Sequence, residues 1–324
     1  MLSRVADSLY WLGRYAERTE TNAHIVITEL DYILEQSTQA NAYVRSWSHV
    51  LAICGFENNY ESKYEGFHQS DMIQYVLYDF TNPNAIIPLI HSVRFNLKNV
   101  RDIIPNELFE VWNELYLLIN MDKADHTITT LSTTDFLNVV RKTALTSTGI
   151  IESLMTRDEA FYFLKIGKWM ERAEKTALII HELIHNNVKE IPTDFQVNLG
   201  LTMTNAMEEY SRRFRRRDTG DIINFLMKDR KCSRSVAYSI RKIRQTLEEV
   251  EEGQYFSYTK RLFDSIDIIE ELLNEDAHQL TAEEQIAWVE AILMHCTLLG
   301  PIFAQTYYLT PPIAVDEKTV QKMK

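Results

Sequence analysis

The sequence has few of the residues that mark disulfide-rich, collagen-like or disordered proteins. Its 324 residues include only 3 cysteines, 9 glycines and 7 prolines. Because Cys54, Cys232 and Cys296 are far apart and odd in number, they form neither a disulfide framework nor a CxxC metal site. We expect them to be small buried hydrophobic residues in a reducing compartment. The 45% hydrophobic and 25% charged residues are typical of a globular, helical protein.

Positive charge and long apolar runs are also scarce. The net charge of −12 argues against non-specific binding to nucleic acid or to an anionic membrane, because both require a basic surface. By inspection, no run approaches the roughly 18 apolar residues that a membrane-spanning helix needs. The N-terminus has the pattern of an amphipathic helix and not of a signal peptide. These features predict a cytoplasmic protein that binds neither nucleic acid nor membranes.

Signals for β-strands are nearly absent, since no alternating runs are bounded by turn pairs and no Asn-Gly or Asp-Gly hairpin occurs. Apolar residues instead recur at helical spacing along most of the chain. The polar segment 121–132 is predicted to be a loop, and 311–324 a charged tail. Helices are predicted at 2–36, 41–54, 72–79, 83–104, 105–120, 133–153, 158–187, 196–216, 219–229, 234–252, 256–274 and 281–308.

The opening helix occurs twice. At an offset of 154, LGRYAERTETNA aligns with IGKWMERAEKTA, and both share the motif G-[RK]-[YW]-x-E-R-x-E-x-x-A. At an offset of 150, nine further positions between Leu51 and Val100 are identical to their counterparts between Leu201 and Val250. The sequence therefore predicts an all-α duplicated helical bundle, with two similar six-helix halves related by approximate two-fold symmetry. We expect one domain over 1–324, built from repeats at about 1–153 and 154–310.

Each copy of the motif has a glycine and a glutamate on its apolar stripe: Gly13 and Glu20 in the first copy, Gly167 and Glu174 in the second. A glycine inside a helix costs about 1 kcal/mol relative to alanine. Its presence in both copies predicts that the two long helices cross there at close range. The glutamates need partners if they are buried, and Arg18 and Arg172 are the expected ones.

Three interpretations of this motif stay open. The charges could form a buried ion-pair network that fixes the helix register. They could instead form an anion site, in which Arg14, Arg18, Lys168 and Arg172 hold a carboxylate or phosphate and Glu17 or Glu171 acts as acid or base. A ferritin-like metal site would need Glu-x-x-His pairs, and no glutamate of the duplicated motif is followed by a histidine three residues later. We therefore predict no metal and no cofactor. Nucleotide-binding glycine loops and a G-x-S-x-G elbow are also absent.

Five arginines stand together just before a predicted helix start at Asp218 or Thr219. They could form a solvated helix face that pairs with neighbouring acidic residues. They could also form a docking patch for an acidic partner or a phosphate group, assisted by the helix N-terminus. The first half has no matching charge. The run consists of Arg212, Arg213, Arg215, Arg216 and Arg217.

The residues resemble the alpha-E family, a domain of unknown function. The opening MLSRVADSLYWLGRYAERTE carries the resemblance, with FYFLKIGKWMERAE and INFLMKDRKCSRSVAYSI in the second half. It covers nearly the whole chain. The chain departs from the family at Ala160-Phe161, where Gly-Trp is expected, and at Ser233, where proline is expected. The positions that match the family's signature are Arg4, Gly13, Arg14, Glu17, Arg18, Glu20, Gly167, Glu171, Arg172 and Glu174.

The resemblance implies partners and not a reaction. Alpha-E proteins are typically encoded beside, or fused to, a circularly permuted ATP-grasp protein, and often near transglutaminase-like proteins. This implies a helical accessory protein that acts with an ATP-grasp-type ligase in peptide or amide-bond modification. The alternatives are an enzyme in its own right, with Glu17 or Glu171 as acid or base, and a purely structural scaffold.

Overall fold

The computed structural model describes residues 1–35, 40–55, 60, 62–66, 68–125, 133–185 and 193–307. These residues form thirteen α-helices, two short 3-10 helices and no strand, so the predicted all-α fold is confirmed. The 3-10 helices are Arg101–Ile103 and Ala277–Gln279. The α-helices are α1 Ser3–Glu35, α2 Ala40–Cys54, α3 Gln69–Leu77, α4 Ile86–Asn99, α5 Asn106–Asp125, α6 Thr133–Leu154, α7 Glu159–His185, α8 Thr193–Met203, α9 Met207–Arg213, α10 Thr219–Lys228, α11 Val236–Val250, α12 Lys260–Leu272 and α13 Ala282–Thr306.

The prediction of one helix over 196–216 is wrong. The chain forms α8 and α9 instead, separated by a turn at 204–206. Asn205 has a φ of 57°, in the left-handed region that ends helices and that asparagine tolerates better than most residues. The hydroxyl of Thr204 donates to the carbonyl of Gly200 (2.8 Å), which satisfies one of the last carbonyls of α8.

Several other boundaries also differ from the prediction, among them the start of α4 and the end of α5. Pro83 does not lie in the first turn of a helix, because the Asn82 side chain accepts a hydrogen bond from the backbone N–H of Asn84 (3.1 Å) and closes a turn before α4. Helix α5 continues to Asp125, five residues into the predicted loop. The rest of that loop, 126–132, and the predicted tail, 311–324, lie outside the described residues.

The two long helices α1 and α7 cross at their glycines, as predicted. A Cβ atom added to Gly13 would lie 2.1 Å from the carbonyl oxygen of Leu164. A Cβ on Gly167 would lie 2.1 Å from the carbonyl oxygen of Tyr10. No side chain fits at either position, so the backbones can approach only because both residues are glycine. Helices α4 and α6 pack against α1, and α11 and α13 pack against α7.

Helix α13 is more apolar than the sequence analysis anticipated. Within the part of the chain that the structure describes, it is the one helix long and apolar enough to cross a membrane, by length and composition only, with a mean hydropathy of 1.6 over 18 residues. In this fold it packs against α7 and α12. Phe303 stacks on Tyr10 at 5.0 Å between ring centroids, so α13 contributes directly to the wall of the helix crossing.

Candidate functional site

One side of the helix crossing holds a group of charged side chains with one amide, which we call the first charge cluster: Arg14, Arg18, Asn84, Glu171 and Glu174. Glu171 is its centre, with Arg14 Nε at 2.7 Å and with Arg18 Nε and Nη2 at 2.6 and 2.8 Å. Arg14 also donates to Glu174 (2.5 Å), and Arg18 donates to the Asn84 side chain (2.9 Å). Burial alone would raise the pKa of Glu171, but the charges of Arg18 and Arg14 outweigh it and hold that pKa well below its usual range.

The other side holds the second charge cluster: Glu17, Glu20, Lys168, Arg172 and Arg234. Arg172 donates to both oxygens of Glu17, at 2.5 and 2.9 Å. Arg234 donates to Glu20 at 3.0 Å. Burial opposes ionisation of Glu20, but Arg234 outweighs it and lowers the pKa of Glu20 to about 2. Two oppositely directed Glu–Arg pairs, Arg18–Glu171 and Arg172–Glu17, therefore tie α1 to α7.

These pairings correct the expected partners of the two stripe glutamates. Glu20 pairs with Arg234 and Glu174 pairs with Arg14, whereas Arg18 and Arg172 bind the neighbouring glutamates Glu171 and Glu17. The geometry decides this, because Arg18 and Arg172 each reach across the crossing to the opposite helix. Of these residues, only Arg234 was absent from the sequence-based candidates.

Lys168 differs from the other charges in the second charge cluster. Its side chain is buried, at 8% exposure, and its ammonium donates to the hydroxyl of Thr148 (3.2 Å). The described residues place no carboxylate within ion-pair distance of it. Burial, followed by the nearby charge of Arg172, lowers the pKa of Lys168 to about 7. Lys168 is thus a buried cation whose direct partner is a neutral hydroxyl.

Two cavities border the second charge cluster, and Lys168 lines both. The larger, of about 740 Å³, lies between α6, α7 and α11. The smaller, of about 220 Å³, is also lined by Glu17, Glu20, Arg172 and Arg234. This places a charged group with spare hydrogen-bonding capacity beside space for a ligand.

Comparison with known proteins identifies the family. A family model named Alpha-E, described as "A predicted alpha-helical domain with a conserved ER motif", matches residues 1–308. The chain belongs to the Alpha-E family. It contains the Glu-Arg dipeptide at 17–18 and again at 171–172. In this Alpha-E domain, those two dipeptides supply both residues of each pair that joins α1 to α7.

The Alpha-E chain is also similar to uncharacterised proteins of Mycobacterium bovis and Mycobacterium tuberculosis. Each is 23% identical over 323 residues, covering 90% of this chain and 35% of the relative. The chain therefore spans about a third of the length of these relatives. No solved structure matches it.

The two glutamates considered for acid–base chemistry are engaged by arginines in the Alpha-E fold. Glu17 is 5% exposed and Glu171 is 2% exposed, and both carboxylate oxygens of each accept hydrogen bonds from guanidinium groups. A general base needs a free oxygen within reach of its substrate. The geometry favours a structural and electrostatic role for these carboxylates.

Arg4 lies apart from both charge clusters. It is exposed in the first turn of α1, and the described contacts of the two clusters do not include it. Of the residues that match the family's signature, Arg4 is therefore exposed and away from the helix crossing, whereas the other arginines and the glutamates lie at the crossing.

The five arginines of the run at 212–217 are exposed, at the end of α9 and in the segment before α10. Arg213 forms ion pairs with Asp229 and Glu209, as a solvated face would. At the start of α10 the Asp218 side chain accepts from the backbone N–H of Asp221 (3.2 Å) and caps the helix, so one of its first N–H groups already has a partner. Docking of an acidic partner by this run stays a prediction.

The described residues contain one group with ligand atoms close enough for a metal ion, namely Asp218, Asp221 and His278. The three atoms lie within 4.8 Å of one another. Their interactions already have an explanation in the fold, since Asp218 caps α10 and Asp221 lies 2.9 Å from Nε2 of His278. The hydrogen bond between Asp221 and His278 raises the pKa of His278.

Sequence reasoning missed Arg234, Asn84 and Thr148. A signal for the first two exists, because Asn84 and Arg234 are separated by the same offset of 150 that relates the two halves of the sequence. Each lies just before a helix, and Ser235 fixes the start of α11 by accepting from the N–H of Tyr238 (3.0 Å). Thr148 carries no comparable signal.

Proposed function

We propose that this Alpha-E domain is a helical accessory protein that binds an anionic ligand at the second charge cluster and acts with an ATP-grasp-type ligase in peptide or amide-bond modification. The observation that carries the binding role is Lys168, a buried ammonium with a neutral partner beside two cavities. The ligase, and a transglutaminase-like protein as a further partner, follow from the family resemblance. Cytoplasmic location belongs to the same proposal.

An accessory role fits the charges better than catalysis by Glu17 or Glu171. Each of these carboxylates is held in a buried bidentate arginine pair, which occupies both of its oxygens. A direct test is peptide turnover by the isolated chain, with Glu17→Gln and Glu171→Gln beside it. We expect no turnover by any of the three proteins. Turnover by the parent chain that both variants lose would establish the enzyme instead.

The partnership is tested with an ATP-grasp-type ligase from the same genome. The two proteins are mixed, and complex formation is measured by light scattering after size-exclusion chromatography, together with ATP hydrolysis by the ligase. We expect a complex and a change in the rate of ATP hydrolysis. If the proteins elute separately and the rate is unchanged, the partnership is wrong.

The arginine run is the proposed docking surface for that partner. Arg216→Glu with Arg217→Glu reverses two exposed charges, and Lys98→Glu with Lys142→Glu is a matched control, because both lysines are exposed on other helices. We expect the arginine double variant to weaken the complex at low salt and the control to leave it intact. Equal weakening by both variants would indicate a general charge effect and contradict specific docking.

We also propose that the chain is one domain built from two internal repeats with approximate two-fold symmetry. Matching contacts support this. Tyr60 donates to the carbonyl of Gly66 (2.9 Å), and Tyr210 donates to that of Arg216 (3.0 Å). These four positions are related by the offset of 150. Superposition of the two halves in an experimental structure is the test, and unrelated helix arrangements would contradict it.

A further inference from the structure

The larger cavity has a mixed wall of lysines, glutamates and aromatic rings. Helix α7 contributes Lys165, Lys168 and Trp169 to it. Trp169 packs edge-on against Tyr238 of α11, with 5.6 Å between ring centroids. The volume of about 740 Å³ is that of a site for a small organic ligand.

The charges of the cavity are separated by burial. Lys165 and Lys168 are each 8% exposed, whereas Glu249 and Glu252, at the end of α11, are exposed. Lys165 is already neutralised by an ion pair with Glu152. Lys168 is therefore the buried cation available to a ligand, and carboxylates are available to it at the open edge.

The total charge of the wall selects the class of ligand. Three lysines face four glutamates, so the cavity carries no excess of positive charge. A nucleotide or another polyphosphate would bring several negative charges toward this wall and be repelled. A ligand with one carboxylate at the buried end and an ammonium group at the open end would match both regions. The charged lining residues are Lys165, Lys168, Lys242, Glu152, Glu248, Glu249 and Glu252.

The aromatic part of the wall fits a peptide more closely than a small inorganic ion. Tyr162, Trp169 and Tyr238 line the cavity and offer ring surface to a peptide plane or an apolar side chain.

We propose that the larger cavity binds a short peptide or amino acid, with its free α-carboxylate on the Lys168 ammonium and its amino group near the glutamates of α11. This rests on the proposed function and specifies its ligand. It requires no bond to form or break in this protein. A carboxylate bound there would raise the lowered pKa of Lys168, because it favours the charged ammonium.

The test compares two probes on the parent protein. A randomised tripeptide library with free C-terminal carboxylates and the same library with C-terminal amides are each incubated with the chain, and bound peptides are measured by affinity-selection mass spectrometry. We expect the acids to be retained roughly tenfold or more above the amides, the size of one hydrogen bond to a charged group. Equal retention, or no retention of either library, would overturn the proposal.

Two variants assign the effect to the cavity. Lys168→Met should abolish the preference for acids. Lys175→Met is the matched control, because Lys175 is also buried on α7 but donates to the carbonyl of Ile53 and lines neither of the two cavities described above. It should keep the preference. A preference that survives Lys168→Met, or competition by inorganic phosphate or ATP at equal concentration, would also contradict the proposal.

The two proposals can fail separately. Peptide binding is measured on the isolated chain, and the ligase complex is measured without added peptide. If the complex forms but acids are not preferred, the ligand is wrong and the accessory role stands. If acids bind through Lys168 but no complex forms, the ligand assignment stands and the partnership is wrong.

Discussion

The two charge clusters lie on opposite sides of one helix crossing, and they have different neighbours. Helix α13 packs on the first charge cluster so closely that a Cβ on Gly300 would lie 3.2 Å from both Arg14 Nη1 and the Tyr10 hydroxyl oxygen. The second charge cluster borders the two cavities described above. The two copies of the motif thus differ in whether their charges lie against α13 or beside these cavities.

The difference arises at two corresponding pairs of positions. Arg14 reaches both Glu171 and Glu174, whereas its counterpart Lys168 has no carboxylate partner among the described residues. Arg234, the counterpart of Asn84, forms an ion pair with Glu20. A buried lysine is not peculiar to the second charge cluster, because Lys175 lies near the first charge cluster, where it donates to a backbone carbonyl. What distinguishes Lys168 is that it lines the two cavities.

The largest loss of stability is expected at the close contact between α1 and α7, because both charge clusters depend on it. Gly13→Ala would place a methyl group 2.1 Å from the Leu164 carbonyl oxygen, which forces α1 and α7 apart. We expect a loss of more than about 4 kcal/mol in unfolding free energy, or no folding at all, measured by urea denaturation.

Gly149→Ala is the matched control for that variant. Gly149 also lies inside a helix, α6, but nothing lies within 4 Å of an added Cβ. Alanine there should stabilise the protein by up to ~1 kcal/mol through helix propensity. Similar destabilisation by both variants would mean that close approach at the crossing is not what requires glycine.

The next effect concerns the first charge cluster. Glu171→Gln removes the carboxylate that binds both Arg14 and Arg18 and leaves buried guanidinium charge with less compensation. We expect a loss of about 3–5 kcal/mol in urea denaturation. Asp267→Asn, which removes a partner of Arg244 that is 64% exposed, should cost less than about 1 kcal/mol. Equal losses would contradict the buried role of Glu171.

The second charge cluster should respond to pH through Lys168. The pKa of Lys168 is about 7 in the folded protein, against 10.5 ordinarily, so between these values the unfolded chain binds the extra proton. The contribution of Lys168 to the free energy of unfolding therefore rises with pH between about 7 and 10.5. Lys168→Met should be more stable than the parent at pH 6, and that advantage should shrink by roughly 2–3 kcal/mol at pH 9.

Denaturation curves of the parent and Lys168→Met at both pH values test this expectation, with Lys168→Arg as a reference that keeps its charge at pH 9. Because an arginine does not titrate in this range, the Arg variant should lack the gain in stability that the parent shows as pH rises. A constant difference between the parent and Lys168→Met would show that Lys168 keeps its ordinary pKa.

Helical periodicity predicted most of the helices, and the repeat placed glutamates and arginines at the crossing but gave the wrong partners for Glu20 and Glu174. Gly13 and Gly167 were identified because glycine destabilises a helix interior, so its presence in both copies indicated a close contact between helices. Arg234 was missed because it lies 214 residues from Glu20 in sequence, before a helix, where periodicity identifies a face but not a partner. The turn at Asn205 and the cavities beside Lys168 depend on local conformation and packing that a repeat pattern does not contain.

The smallest effect is expected at Asn84, the neutral counterpart of Arg234. Asn84→Ala removes one hydrogen bond to Arg18 (2.9 Å) but leaves Arg18 bound to Glu171, so we expect a loss of about 1–2 kcal/mol in urea denaturation. Asn99→Ala, at an exposed asparagine whose contact with Ser8 is 3.3 Å, should lie within about 0.5 kcal/mol of the parent. If Asn84→Ala costs as much as Glu171→Gln, Arg18 depends on Asn84 as much as on its ion pair. The first charge cluster would then be held by its hydrogen bonds to neutral groups, and the difference between the two clusters would depend on Asn84 and Arg234 more than on Arg14 and Lys168.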